Sequence, residues 1–194
     1  MPVPRPHGRG YIKHLPSPSS DSLHTAVKKL EPPDTHHLKA AIGWLELGNP
    51  TEAGEEIARL SAANLSHPDV LEVRWAICAE GHSWDAAAEV AAALVAVAPG
   101  RASGWVHRAY AARRAVNGSL AQAEKLLIEA LHKFPKESVI PYNLACYAAQ
   151  RGRLDEAWDW LHKAMEVEGD VKTIKQRALS DADLKPLWER IREL

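Results

Sequence analysis

The sequence has little cysteine: Cys78 and Cys146 stand alone, with no CxxC spacing between them or around them. That excludes a disulfide framework and a paired-cysteine metal site. Both cysteines fall in helical stretches among small or apolar residues, where buried, reduced thiols are expected. Neither sign of charge is in excess: the formal net charge is −1, with 25% charged residues. A near-neutral chain has no overall field to draw in nucleic acid or an anionic membrane. Long apolar runs are missing too. The longest, Val90–Ala98, is far short of the roughly 20 residues that a membrane span needs. The first twenty residues carry basic side chains but no apolar core, so no secretory signal is expected and the protein reads as cytoplasmic.

Motifs for chemistry are equally scarce. Gly8 and Gly10 lie among prolines with no strand before them, so they do not form a phosphate-cradling loop. There is no GxSxG elbow and no HExxH pair. The ten histidines are scattered, and the adjacent His36 and His37 point to different sides of a helix. Carboxylates gather early in several helices (Glu52, Glu55, Glu56; Asp155, Glu156, Asp159), where the helix dipole favours them without any catalytic role. The reading is no catalytic residue, no cofactor, no metal and no enzyme.

What the chain does have begins with proline. Seven of its thirteen prolines fall in residues 1–33. Residues 1–34 are therefore expected to be a disordered tail, with LHTAVKKL (Leu23–Leu30) able to form a helical turn or two. The tail is basic, with Arg5, Arg9, Lys13, Lys28 and Lys29 against Asp21 and Glu31. From His36 onward the apolar spacing is helical. Short apolar-periodic runs alternate with turns at Gly48-Asn49-Pro50, Gly81-His82-Ser83, Asn117-Gly118-Ser119 and Gly152. Longer breaks come at Pro99-Gly100 and Pro135. An alanine recurs near the start of every second helix, at Ala53, Ala87, Ala123 and Ala157, spaced 34, 36 and 34 residues apart.

That period resembles the tetratricopeptide repeat, in which each unit is a pair of antiparallel helices. The residues carry the resemblance as well: Tyr142-Asn143-Leu144-Ala145, Gly152, Asp155-Glu156-Ala157, Leu161 and Ala164 match the family pattern. Gly118, Ala123, Leu127, Ala130 and Pro135 do so in the preceding unit. Weaker matches are Trp84, Ala87, Leu94 and Pro99, then Trp44, Gly48, Ala53, Ile57 and Leu60. The resemblance implies an all-α, right-handed α-solenoid of four helix pairs, at about 35–65, 68–98, 101–134 and 138–168. A C-terminal capping segment follows over 169–194. There Ser180 or Asp181 is expected to cap a final helix with Leu184, Leu187, Trp188 and Ile191 on one face. This end is similar to the ALxDPDLxPLW close of small bacterial repeat proteins, with Ala182 in place of proline. Trp75 stands where the family wants a small residue, so the second pair is expected to splay or shift. The third pair is two residues longer.

Of the seven tryptophans, Trp44 and Trp84 read as core. Trp105 starts an inward stripe with Ala109, Ala112 and Val116, and Trp188 closes the last pair. Trp158 and Trp160 face different ways, so the C-terminal helix is expected to cover one of them. In the family, the first helices line a groove that receives a peptide or a helix. The resemblance then puts Val106, His107, Tyr110, Arg113 and Arg114 on the groove side of the third first-helix. Tyr142, Asn143, Cys146 and Gln150 take that side of the fourth, and Asn143 matches an asparagine that holds ligand backbone. Glu46, Asp69, Glu72 and Glu80 make the early groove acidic. The implied function is a non-catalytic adaptor or scaffold that binds a protein or peptide with an acidic segment through His107, Tyr110, Arg113, Arg114, Tyr142 and Asn143. The alternatives are a chaperone for one client and a self-associating structural subunit. The basic tail is itself a candidate occupant of the acidic end.

Overall fold

The computed structural model describes residues 29–194; the expected tail and the Leu23–Leu30 turn lie largely outside them. Among the described residues every regular element is helical. The chain divides into two compact units, residues 29–119 and 120–194 of the described chain.

In the N-terminal unit, α1 (Asp34–Glu46) and α2 (Pro50–Ala58) form the first pair, and α3 (Pro68–Glu80) and α4 (Trp84–Val97) the second. Helix α5 (Ala102–Ala112) then packs against α4 and, along part of its length, against α3. The first pair closes over Leu38, Ala41, Ala53, Ile57, Val70 and Val73, with Leu30 buried alongside. The packed core thus reaches back to Leu30. The buried Asp34 carboxylate accepts from the Ser61 N–H (3.1 Å), the Ser61 hydroxyl and the Asn64 amide (2.6 Å). It ties the start of α1 to the 3-10 turn Ala62–Asn64. Those hydrogen bonds, from the Ser61 hydroxyl above all, hold its carboxyl below the ordinary aspartate range. Asn49 caps α2 by accepting from the Glu52 N–H at 3.2 Å, and Pro50 takes the first helical position, where a missing N–H costs nothing. Helix α5 approaches α4 so closely that a methyl group at Gly104 would meet Leu94 and Val95 at 3.1 and 3.2 Å.

In the C-terminal unit, α6 (Leu120–Lys133), α7 (Val139–Gln150) and α8 (Leu154–Glu168) are followed by α9 (Val171–Ser180), a 3-10 stretch (Ala182–Leu187) and α10 (Trp188–Arg192). Helix α7 is the middle of this unit: Ile140 through Ala149 are all buried. It packs on α6, on α8 and on the 3-10 stretch. Glu124 of α6 receives Arg151 and Arg153 from the α7–α8 turn, each at 2.6 Å. The four alanines that set the period, Ala53, Ala87, Ala123 and Ala157, are fully buried, which is why the repeat keeps a side chain no larger than methyl there.

Three expectations are corrected. The helix that begins at Ala102 stops at Ala112 instead of running to Val116, because Ala115, Gly118 and Ser119 fold the chain back by donating to Ala111, Ala115 and Ala112. Val116 is 84% exposed, not part of an inward stripe. The close of the chain is two helices with a 3-10 stretch between them rather than one. Asp170 caps α9 through the Lys172 N–H (2.9 Å) and the Thr173 hydroxyl, while Asp181 caps the 3-10 stretch through the Asp183 N–H at 3.0 Å. Leu184, Leu187 and Ile191 are buried, as their spacing predicts. Trp84 is half-buried rather than core, while Trp44, also half-buried, packs against the core of the first pair.

Three of the turns expected within pairs carry a left-handed residue. Gly48 and Gly152 supply it at φ +74° and +75°, five residues before Ala53 and Ala157. Five residues before Ala87 stands His82, with φ +54°. A side chain there costs about 1 kcal/mol that glycine avoids. His82→Gly is therefore expected to raise the thermal midpoint by a few degrees, and Gly152→Ala to lower it comparably, both read by circular dichroism melts.

Candidate functional site

The expected site residues fall on two faces, one in each unit. In the N-terminal unit, α5 presents His107 and Tyr110 to Trp75 of α3, and Arg114, just past the end of α5, lies near Trp84 at the start of α4. His107 is 1% exposed. Its imidazole stacks flat on the wholly buried Trp75 of α3, with ring centroids 3.8 Å apart and planes at 6°. The His107 Nε2 meets the Glu72 carboxylate at 2.7 Å, and the Ser103 hydroxyl donates to the same carboxylate. One turn along α3, Asp69 takes Arg101 at 2.7 Å. Trp75 spends its ring on α5, stacked on His107 and edge-on to Tyr110. It becomes the platform on which α5 docks, because a large ring at a small-residue position finds its room between two first helices. Edge-to-face contact with Tyr110, centroids 5.9 Å apart, completes the stack.

Burial raises the Glu72 carboxyl, but its hydrogen bonds with His107 and Ser103 and the charge of Arg101 outweigh this and leave it below the ordinary glutamate value. Its ionised form thus favours the fold. Glu72, with Asp69, is taken up in clasps across the two helices, so the early acidic surface is smaller than the sequence suggests.

Past His107 the face opens. Tyr110, Arg113 and Arg114 are half-exposed. The Arg114 guanidinium lies 3.6 Å from the Tyr110 ring centroid and 5.2 Å from that of Trp84, and its N–H donates to the Tyr110 carbonyl. Trp84 and Tyr110 are themselves 5.8 Å apart. The result is an arginine held against two aromatic rings, an arrangement that keeps its planar fork oriented.

In the C-terminal unit the corresponding face is covered. Tyr142 is 1% exposed and Asn143 is buried. The Asn143 amide donates to the Val139 carbonyl of its own helix at 2.8 Å. The Tyr142 hydroxyl donates to Asp181 at 3.1 Å, the Cys146 thiol to the same carboxylate oxygen at 3.6 Å, and the Gln150 amide to the Asp183 carbonyl at 3.2 Å. Arg177 lies over the Tyr142 ring at 3.9 Å. Burial pushes the Tyr142 phenol well up, so it stays a donor across the working pH range. The open face expected at Tyr142 and Asn143 is thus seated against this chain's own Asp181-Ala182-Asp183 turn. Sequence reasoning missed this because the contact joins residues nearly forty positions apart; its one local signal was Asp181 as a cap. Trp158 is covered as expected of one of the pair, with Arg190 of α10 over its ring at 4.1 Å, while the Trp160 indole donates to Glu156 at 3.3 Å. Cys146 is buried and Cys78 half-buried, its thiol raised by burial.

Among the described residues no three His, Cys, Asp or Glu side chains group as metal ligands, and no helix is long and apolar enough to cross a membrane. His36 is exposed while His37 pairs with Glu56 at 2.7 Å.

The lowered Asp34 and Glu72 carboxyls give stability that is complete above their ordinary values of 3.8 and 4.5 and is lost as pH falls through the lower folded values. The thermal midpoint is expected to fall below about pH 4.5. Glu72→Gln should flatten part of that acid limb and cost about 1–2 kcal/mol at pH 7, measured by urea unfolding across a pH series.

No family model and no curated protein matches the sequence. Among solved structures, the chain is similar to the crystal structure of a thermophilic TPR protein from Thermus thermophilus. The TM-score is 0.62 and the identity 20%, over 83% of this chain and 100% of that one. All-helical among the described residues, folded in sequential pairs with the period-setting alanines buried, and superimposing on such a protein, the chain has the tetratricopeptide-repeat fold.

Proposed function

We propose that this protein is a cytoplasmic, non-catalytic adaptor that holds a segment of a partner protein on the first-helix face of its N-terminal unit. What carries this reading is the ledge of Tyr110, Arg113, Arg114 and Trp84. It is half-exposed, rich in the residue types that dominate protein contacts, and built by the same α3–α5 packing that buries His107. Tyrosine and tryptophan offer rigid apolar area with a polar tip, and arginine offers a fork matched to carboxylates. The partner is accordingly a protein or peptide with an acidic segment, not nucleic acid and not a membrane. Of the six residues singled out from the sequence, Tyr110, Arg113 and Arg114 make the contact. His107 acts behind them as a positioning residue, and Tyr142 and Asn143 belong to the internal packing of α7.

The test is affinity capture from the source cell, comparing the intact protein with Arg113→Glu/Arg114→Glu, both first confirmed as folded by their melts. A partner held by the first and weakened by about tenfold or more in the second is the expected result. Equal retention would remove the ledge from the account. A single stoichiometric client that aggregates without this protein would point to a chaperone. No partner at all, with molecular mass rising with concentration, would point to a self-associating subunit.

A further inference from the structure

The C-terminal unit shows how this chain closes an open helix face. Leu184, Leu187, Trp188 and Ile191 recur at i, i+3, i+4 and i+7. The three aliphatic side chains are buried, while Lys185, Glu189, Arg190 and Arg192 between and after them are exposed. The 3-10 part of this segment packs on α7. A segment with one apolar and one charged side thus covers surface that a stack of hairpins leaves open.

The same spacing stands at the other end of the chain. Leu23, Ala26, Val27 and Leu30 fall at i, i+3, i+4 and i+7, with His24, Thr25, Lys28 and Lys29 between them. Leu30, the one of the four among the described residues, is buried in the core cluster of the first pair, and its neighbour Lys29 is exposed. Residues 23–28 are therefore delivered to α1 by a buried anchor.

Helix α1 has a side to receive them. Among the described residues it packs on α2 and, along part of its length, on α3. Leu38 and Ile42 are one turn apart on one ridge of α1. Leu38 is buried in the cluster that also holds Leu30, whereas Ile42 is 41% exposed, with Lys39 and Glu46 exposed around it. Coverage of the ridge lapses one turn beyond Leu38.

We propose that residues 23–28 seat on this ridge as a turn or two of helix leading into Leu30, with Leu23, Ala26 and Val27 against Ile42. His24, Thr25 and Lys28 then face water, as a closing segment requires. Tethered within a few residues of its anchor, the segment meets α1 at an effective concentration of millimolar order, which a free partner or a second copy lacks. The seat is on α1 and not on the Tyr110–Arg114 ledge, so it stands or falls independently of the adaptor reading.

The test uses the full chain, with hydrogen exchange read by mass spectrometry. Amides of residues 24–29 are expected to exchange about tenfold or more slowly than in the free peptide of residues 20–30, SDSLHTAVKKL. Ile42→Glu should abolish that protection while Pro68–Glu80 keep theirs. In thermal melts Ile42→Glu and Val27→Glu should each lower the midpoint by about 2–4 °C. Together they should do no more than either alone, because one contact is lost once. Thr25→Glu, on the opposite side of the stripe, should leave the midpoint within about a degree. Free-peptide exchange in the intact chain, or additive shifts in the double variant, overturns the proposal. So does a mass of two chains that falls to one on Ile42→Glu, since a second copy would then hold the ridge.

Discussion

A helical hairpin buries one stripe of each helix against the other and leaves a second apolar stripe that only a neighbouring element can cover. This constraint organises both units. In the N-terminal unit α3 lies between α1 and α5, and Trp75 fills the space towards α5 so completely that none of it meets water. In the C-terminal unit α7 is buried from Ile140 to Ala149 because α6, α8 and the 3-10 stretch close on it from three sides. The stretch that does the closing is held by three apolar anchors, Leu184, Leu187 and Ile191. It is placed by Asp181, whose carboxylate gathers Tyr142, Cys146 and the Asp183 N–H. Coverage by burial supplies the energy and the single carboxylate sets the placement.

The same constraint covers the first-helix faces to different degrees. A first-helix face already covered by its own chain has no surface to give, and that is the state of α7. The face of α5 is covered only in part. His107 is locked between Trp75 and Glu72, and the locked end fixes the backbone from which Tyr110 projects one turn later and Arg114 two. A side chain held against two rings keeps its orientation, and on the proposed reading this lowers the ordering cost of association. The buried clasp and the half-exposed ledge are thus one device, with the first positioning the second.

The fold is legible in the sequence because its signals are local and repeated. Four alanines at near-constant spacing, a glycine in each of the four turns and prolines after the second helices each report on a few neighbouring residues, and the repeat multiplies them. The candidate site is legible only in part. Tyr110, Arg113 and Arg114 keep the half-exposure expected of them, since their place follows from helical spacing. His107, Tyr142 and Asn143 turn inward, because burial there is set by residues 30 to 40 positions away: Trp75 and Glu72 for His107, and Asp181 with Arg177 for Tyr142. Asn143 is spent on a carbonyl four residues back in its own helix. Val116 departs for a different reason. Helical periodicity extends only to the point where the chain turns back through Gly118 and Ser119, so a position that spacing would turn inward is exposed.

Coverage of α7 by the C-terminal stretch is the claim on which the rest turns, and hydrogen exchange read by mass spectrometry measures it most directly. In Asp181→Asn combined with Leu184→Ala, amides of Tyr142–Gln150 are predicted to exchange about tenfold or more faster than in the intact chain, while those of Pro68–Glu80 keep their protection. Unchanged exchange along α7 would contradict the account, because that helix would then owe nothing to the segment seated on it.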